Sequence, residues 1–123
     1  MFKKTLMTAI TLTVAMVAAG VASAHPELQS AEPAAGRSTP PPQQIRITFN
    51  ENVISQFSGI ELKDQTGKTV ATGKATTDAA NKKLMIVPVK DQLLPGEYKV
   101  EWHAVSDDTH RVKGSYSFKV APQ

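Results

Sequence analysis

The sequence predicts an all-β fold, an antiparallel Greek-key sandwich or barrel, on three observations. Several short segments alternate apolar and polar side chains, the period of a half-buried strand. Polar turn residues separate these segments at close spacing. No stretch of the presumed domain longer than a turn or two carries a helical period.

Residues 26–44 form a loop-like lead-in broken by Pro33, Gly36, Pro40, Pro41 and Pro42, with room only for a short edge strand around Leu28 to Ala31. The three consecutive prolines make a stiff surface segment. Ile45 to Phe49 alternates cleanly, and Ile60 to Asp64 repeats the pattern before a turn, Gln65-Thr66-Gly67-Lys68, leads into Thr69 to Lys74. In Asn81 to Val89, Leu84, Ile86 and Pro88 share one face while Met85, Val87 and Val89 share the other, so this strand is expected to be buried on both sides. Leu94 to Glu97 is a turn. Tyr98, Val100, Trp102 and Ala104 then oppose Lys99, Glu101 and His103, and Gly114 to Val120 groups Tyr116, Phe118 and Val120. Trp102 is expected to anchor the core beside Phe49, Tyr116 and Phe118, with His103 facing solvent. Together these strands outline an immunoglobulin-like sandwich, cupredoxin-like in outline.

Of the 123 residues, Met1 to Ala24 have the character of an export signal: Lys3 and Lys4, then an apolar stretch from Leu6 to Ala19, then the small-residue cleavage pattern Ala22-Ser23-Ala24. The apolar stretch is shorter than the roughly 20 residues of a membrane span. The expected product is one soluble periplasmic domain, residues 25–123, with no stable membrane insertion. Without Lys3 and Lys4 the fourteen basic residues become twelve against eleven acids, a formal net charge of +1. That lacks the clustered cation excess a nucleic-acid surface needs. There is no cysteine, which excludes thiolate metal sites and thiol catalysis and leaves the fold to rest on its core. No Ser/His/Asp set or glycine-rich phosphate loop can be assembled.

Cleavage after Ala24 would make His25 the first residue, offering an α-amine and an imidazole Nδ1 to one metal ion as a chelate. Pro26 has no N–H, so a metal held there cannot extend its binding along the backbone and needs ligands from elsewhere. The second histidine with chemical context is His110, in Ser106-Asp107-Asp108-Thr109-His110. In an extended chain Asp108 and His110 project to the same side and Asp107 to the other. Taken alone, the same residues also describe an Asx-turn with a solvated histidine. Together with His25 they make two imidazoles, one amine and one carboxylate. A nitrogen and oxygen set of this kind suits tetragonal Cu(II), which tops the divalent affinity order. Zinc accepts the same donors in a tetrahedral arrangement.

An ordered set of motifs runs through this chain: His25-Pro26, Phe49-Asn50-Glu51-Asn52-Val53, Gln56-Phe57-Ser58-Gly59, Gly96-Glu97-Tyr98-Lys99-Val100, Trp102, and Val105 through Asp108-Thr109-His110 to Gly114–Val120. In this it resembles the CopC family of periplasmic copper-resistance proteins over essentially the whole presumed domain. The resemblance implies a Cu(II) site made by His25, Asp108 and His110, with Glu51 close by as an outer partner of those ligands. It also implies a copper transporter of the CopD type in the inner membrane as partner. Some members hold Cu(I) in a methionine-rich loop. The corresponding stretch here, Ile60 to Lys83, has neither methionine nor histidine, and Met85 stands alone once the signal is removed, so the expectation is a Cu(II)-only, monomeric member.

The function expected from this reading is a copper-binding protein for resistance, sequestration or delivery, and not an enzyme. Two alternatives remain open on the sequence. A copper monooxygenase could use the same N-terminal chelate, and a metal-free immunoglobulin-like module would work through its edges and loops.

Overall fold

The computed structural model describes residues 26–123; the expected signal segment, Met1 to Ala24, and the expected ligand His25 lie outside the described residues. The strands are β1 (Leu28–Glu32), β2 (Ser38–Thr39), β3 (Gln44–Phe49), β4 (Gly59–Asp64), β5 (Thr69–Val70), β6 (Thr76–Asp78), β7 (Asn81–Pro88), β8 (Gly96–Val105) and β9 (Arg111–Val120). One sheet runs β1-β3-β7-β6 and the other β2-β9-β8-β4-β5. All pairings are antiparallel except β2 with β9. β3 pairs with β7 and β4 with β8 across strands that belong to the opposite sheet, the non-local connection of a Greek-key sandwich. The helical element among the described residues is a single 3-10 turn, Ser55–Phe57.

The alternating segments bury the faces their sequence predicts. Ile45, Ile47 and Phe49 of β3 meet Met85 and Val87 of β7 on one side of the core, while Leu62, Tyr98, Val100, Ala104, Phe118 and Val120 come from the other sheet. Each such side chain removed from water stabilises the fold by roughly 1.5–3 kcal/mol before chain entropy is counted. Trp102 meets Phe49 edge-to-face with ring centroids 5.4 Å apart, whereas Phe118 stacks on Tyr98 at 5.7 Å. Of the expected aromatic neighbours, Phe49 is therefore the ring against Trp102. Gly114 lies opposite Trp102 across β8 and β9, and a Cβ there would sit 2.5 Å from Trp102 Cζ2. The glycine leaves the floor on which the indole lies. Tyr116 packs against the same core with its hydroxyl buried and unbonded, and burial pushes that phenol up.

One expectation about the strands is corrected, and some short strands lay beyond what the sequence showed. β7 is fully buried on one face only: Met85 and Val87 point into the core, while Leu84 and Ile86 are half-buried and Pro88 is exposed. The outer face of a four-stranded sheet has no second layer to cover it. Thr69 to Lys74 does not continue as a strand beyond Val70, and the short strands β2 and β6 were not foreseen. These are polar pieces of two or three residues that exist because longer neighbours offer them hydrogen bonds.

One end of the sandwich gathers four segments. Pro26 is fully buried, and next to it the Glu27 N–H donates to Asn50 Oδ1 at 2.7 Å while the Asn50 N–H returns to the Glu27 carbonyl at 3.0 Å. The connection after β3 is tied to the start of β7 by Val53 N–H to the Lys82 carbonyl at 3.0 Å, and to the end of β8 by Ile54 N–H to the Val105 carbonyl at 2.8 Å. Asp107 N–H reaches the Asn52 carbonyl at 3.3 Å. The beginning of the described chain, the Asn50–Asn52 motif and the β8–β9 loop are thus held at one site by backbone hydrogen bonds.

Candidate metal centre

Ser106 to His110 closes the β8–β9 hairpin as a three-residue loop. Ser106 N–H donates to the His110 carbonyl at 3.0 Å, Thr109 N–H donates to the Ser106 carbonyl at 2.8 Å, and Thr109 adopts the left-handed region with φ 71°. This is a type I turn followed by a left-handed residue. The extended backbone that the sequence reading assumed is absent, yet Asp108 and His110 do come together: His110 Nδ1 lies 2.9 Å from Asp108 Oδ2. The turn brings them there. The Asx-type contact is present as well, as a long bond of 3.4 Å from His110 N–H to Asp108 Oδ1, so the pair and the turn coexist. Both side chains are partly exposed, 47% for His110 and 42% for Asp108, open enough for a cation to reach.

The second oxygen of Asp108 accepts a hydrogen bond from the Ser106 hydroxyl, and Ser106 is only 1% exposed. Sequence reasoning passed over this serine. Its signal was available as a hydroxyl two residues from a carboxylate in turn chemistry. That hydroxyl first, and the His110 ring second, hold the Asp108 carboxyl at a pKa of about 2. The group is therefore an anion at any physiological pH. An ionised carboxylate only accepts, so the proton between the two side chains belongs to His110 Nδ1.

Asp107 is exposed. With Asp108 it lines a cleft of about 390 Å³ whose other walls are Asn50, Glu51, Asn52 and Lys83. Glu51, the expected outer partner, is half-buried in this cleft. His103 is exposed on the opposite face of β8 from Trp102, with its ring over Gly59.

Among the described residues no group of three or more His, Cys, Asp or Glu side chains is arranged to hold a metal ion. Asp108 and His110 supply one oxygen and one nitrogen, a donor pair that fits Cu(II) or zinc and leaves further positions to be filled. Among the described residues no helix is long and apolar enough to cross a membrane.

Comparison with known proteins supplies the context. The CopC domain family matches residues 28–121. Copper resistance protein C of Pseudomonas syringae pv. tomato is 38% identical over 110 residues, covering 85% of this chain and 87% of that protein. The crystal structure of PcoC, a methionine-rich copper resistance protein from Escherichia coli, superposes with a TM-score of 0.71 at 37% identity, covering 80% of this chain and 100% of that one. Copper transport protein CutJ of Bacillus subtilis is 37% identical over 79 residues, covering 64% of this chain but 15% of that much longer protein.

Proposed function

The chain belongs to the CopC family of copper-resistance proteins, and from that premise we propose that it is a non-enzymatic, periplasmic Cu(II)-binding protein of a single domain, residues 25–123. Its ligands are the α-amine and imidazole of a processed N-terminal His25, together with Asp108 and His110. The observation that carries this reading is the Asp108–His110 pair at 2.9 Å, on the loop that bonds to the Asn50–Asn52 motif. Glu27, two residues beyond His25, is fixed to Asn50 in that same motif. The described chain thus begins beside the motif to which the β8–β9 loop is bonded, which supports a ligand role for the residue that precedes Pro26. An ion shared with Asp108 Oδ2 would take the place of the proton at His110 Nδ1, since the two atoms stand 2.9 Å apart and an ion on the far ring nitrogen, Nε2, would be out of reach of Oδ2. Glu51, in the adjoining cleft, contributes negative potential and a hydrogen-bond acceptor for water around the ion.

The donor set favours the cupric state, because Cu(I) prefers thioether and thiolate sulfur. The one methionine among the described residues, Met85, is fully buried in the core and cannot serve an exposed site. Partial exposure of the pair supports sequestration or handover of the ion, a task we assign to the monomer. A CopD-type copper transporter in the inner membrane fits as recipient or source, and CutJ, where the matching stretch is a small part of a copper transport protein, supports such a partnership. The deciding experiment is Cu(II) affinity and EPR on processed protein beside a version carrying one extra residue before His25. The extension should lower affinity by orders of magnitude and change the EPR spectrum; equal affinity and spectra would refute the N-terminal chelate.

A further inference from the structure

We infer that Ser106 is a positioning residue for the metal, its buried hydroxyl engaging Asp108 Oδ1 so that the carboxylate presents a single oxygen, Oδ2, to the cation it shares with His110. This rests on the reading of Asp108 and His110 as Cu(II) ligands.

Ser106 is the most firmly held residue of the loop. It is 1% exposed, it forms an isolated bridge with Val53, its N–H is used by His110 and its carbonyl by Thr109. Its hydroxyl therefore has a fixed origin, and Asp108 Oδ1 is where it ends. Oδ1 also receives the His110 N–H, while Oδ2 faces the His110 ring at 2.9 Å. The two oxygens of one carboxylate thus have separate duties. Oδ1 is engaged by the turn and Oδ2 faces the imidazole.

Two chemical consequences follow. A carboxylate with one oxygen engaged binds a cation monodentately, which suits a compact nitrogen and oxygen set around Cu(II). Bidentate carboxylates are the habit of larger, hard cations such as calcium. The side chain is also fixed before the metal arrives, so little rotamer entropy is lost on binding. Partners that orient a ligand in this way typically change metal affinity by 10–100-fold when removed.

The test uses processed protein as wild type, Ser106→Ala, Ser106→Thr and His110→Ala, with Cu(II) affinity measured by chelator competition and coordination by EPR. Ser106→Ala should bind about 10–100-fold more weakly and show an altered EPR spectrum, and Ser106→Thr, which keeps a hydroxyl, should restore both. Wild-type affinity and spectrum in Ser106→Ala would overturn the inference. Wild-type behaviour in His110→Ala would instead overturn the copper site beneath it, so the two failures are distinguishable. Should near-UV circular dichroism show that Ser106→Ala does not fold, the Asp108 side-chain couplings in copper-free wild type decide. One fixed χ1 rotamer supports the assignment, and averaging among rotamers overturns it.

Discussion

Two loops of this protein share one backbone frame and use it for different ends. In the β4–β5 turn, Asp64 N–H donates to the Lys68 carbonyl at 2.9 Å, Gly67 N–H to the Asp64 carbonyl at 3.0 Å, and Gly67 is left-handed with φ 84°. The β8–β9 loop repeats these bonds with Ser106, Thr109 and His110 in the corresponding places. In both, a hydroxyl and a carboxylate two residues apart are joined, but their positions are exchanged. Asp64 stands at the root of its turn, and its Oδ1 takes the Thr66 hydroxyl at 2.6 Å, the Thr66 N–H at 2.9 Å and the Lys68 N–H at 3.0 Å. Ser106 stands at the root of the other, which puts Asp108 further out, beside an imidazole. A carboxylate at the root closes the turn; moved toward the tip, it can serve as a ligand.

The comparison is tested most strongly by pH. Asp64 is held below the ordinary carboxylate value chiefly by the Thr66 hydroxyl, and Asp108 at about 2 chiefly by the Ser106 hydroxyl. A group with a depressed folded value contributes stability that is present above its unfolded value, near 3.8, and is lost as pH falls through the folded value. Neither turn should loosen between pH 8 and 5. Copper, by contrast, competes there with protons for imidazole and α-amine, whose free pKa values are about 6.5 and 7.7–8.0. Cu(II) affinity should therefore fall by several decades over a window in which the thermal midpoint of the metal-free protein changes little. Copper retention at pH 5 equal to that at pH 8 would break the assignment of nitrogen ligands.

Exchanging the carboxylates for amides should separate the loops at the next level of effect. Asp108→Asn is expected to weaken Cu(II) at least tenfold by chelator competition, since it removes a charged donor next to His110. Asp64→Asn should leave copper binding as it was and lower the thermal midpoint, because a neutral amide oxygen is the poorer acceptor for three donors at once. Equal copper affinity in both variants would mean that position in the turn does not matter.

Most of the sandwich was legible in the sequence because β3, β4, β8 and β9 each carry enough alternating side chains to declare a face. β2 and β6 were not, since a pair such as Ser38–Thr39 has no period of its own and is a strand only through β9. The two-sided burial expected for β7 failed because apolar side chains show a preference for a covered face without showing whether the fold supplies one. At the site, Asp108 and His110 were legible as a pair, though for the wrong local reason: spacing by two suggested an extended chain, and a left-handed Thr109 achieved the meeting instead. Ser106 was missed because its partner is a side chain whose direction depends on that turn. His25 carries the chelate argument on sequence alone, lying outside the described residues.

The subtlest difference between the loops is the residue at the left-handed position, Gly67 in one and Thr109 in the other. Left-handed backbone costs an L-residue roughly 1–2 kcal/mol, most for a β-branched side chain, and costs glycine nothing sterically. Thr109→Gly should relieve that strain, offset by about 0.5–1 kcal/mol of glycine chain entropy, for a net gain of up to about 1 kcal/mol in chemical denaturation. Gly67→Ala meets no atom within 4 Å, so its expected loss of about 1 kcal/mol would be backbone strain alone. Strain tolerated beside a ligand pair is expected where it fixes geometry. Thr109→Gly should accordingly bind Cu(II) roughly twofold to threefold more weakly while becoming more stable, because the loosened loop must be ordered again on binding. A variant that gains stability with unchanged affinity would reduce Thr109 to an accident of the turn and leave the fixing of Asp108 to Ser106.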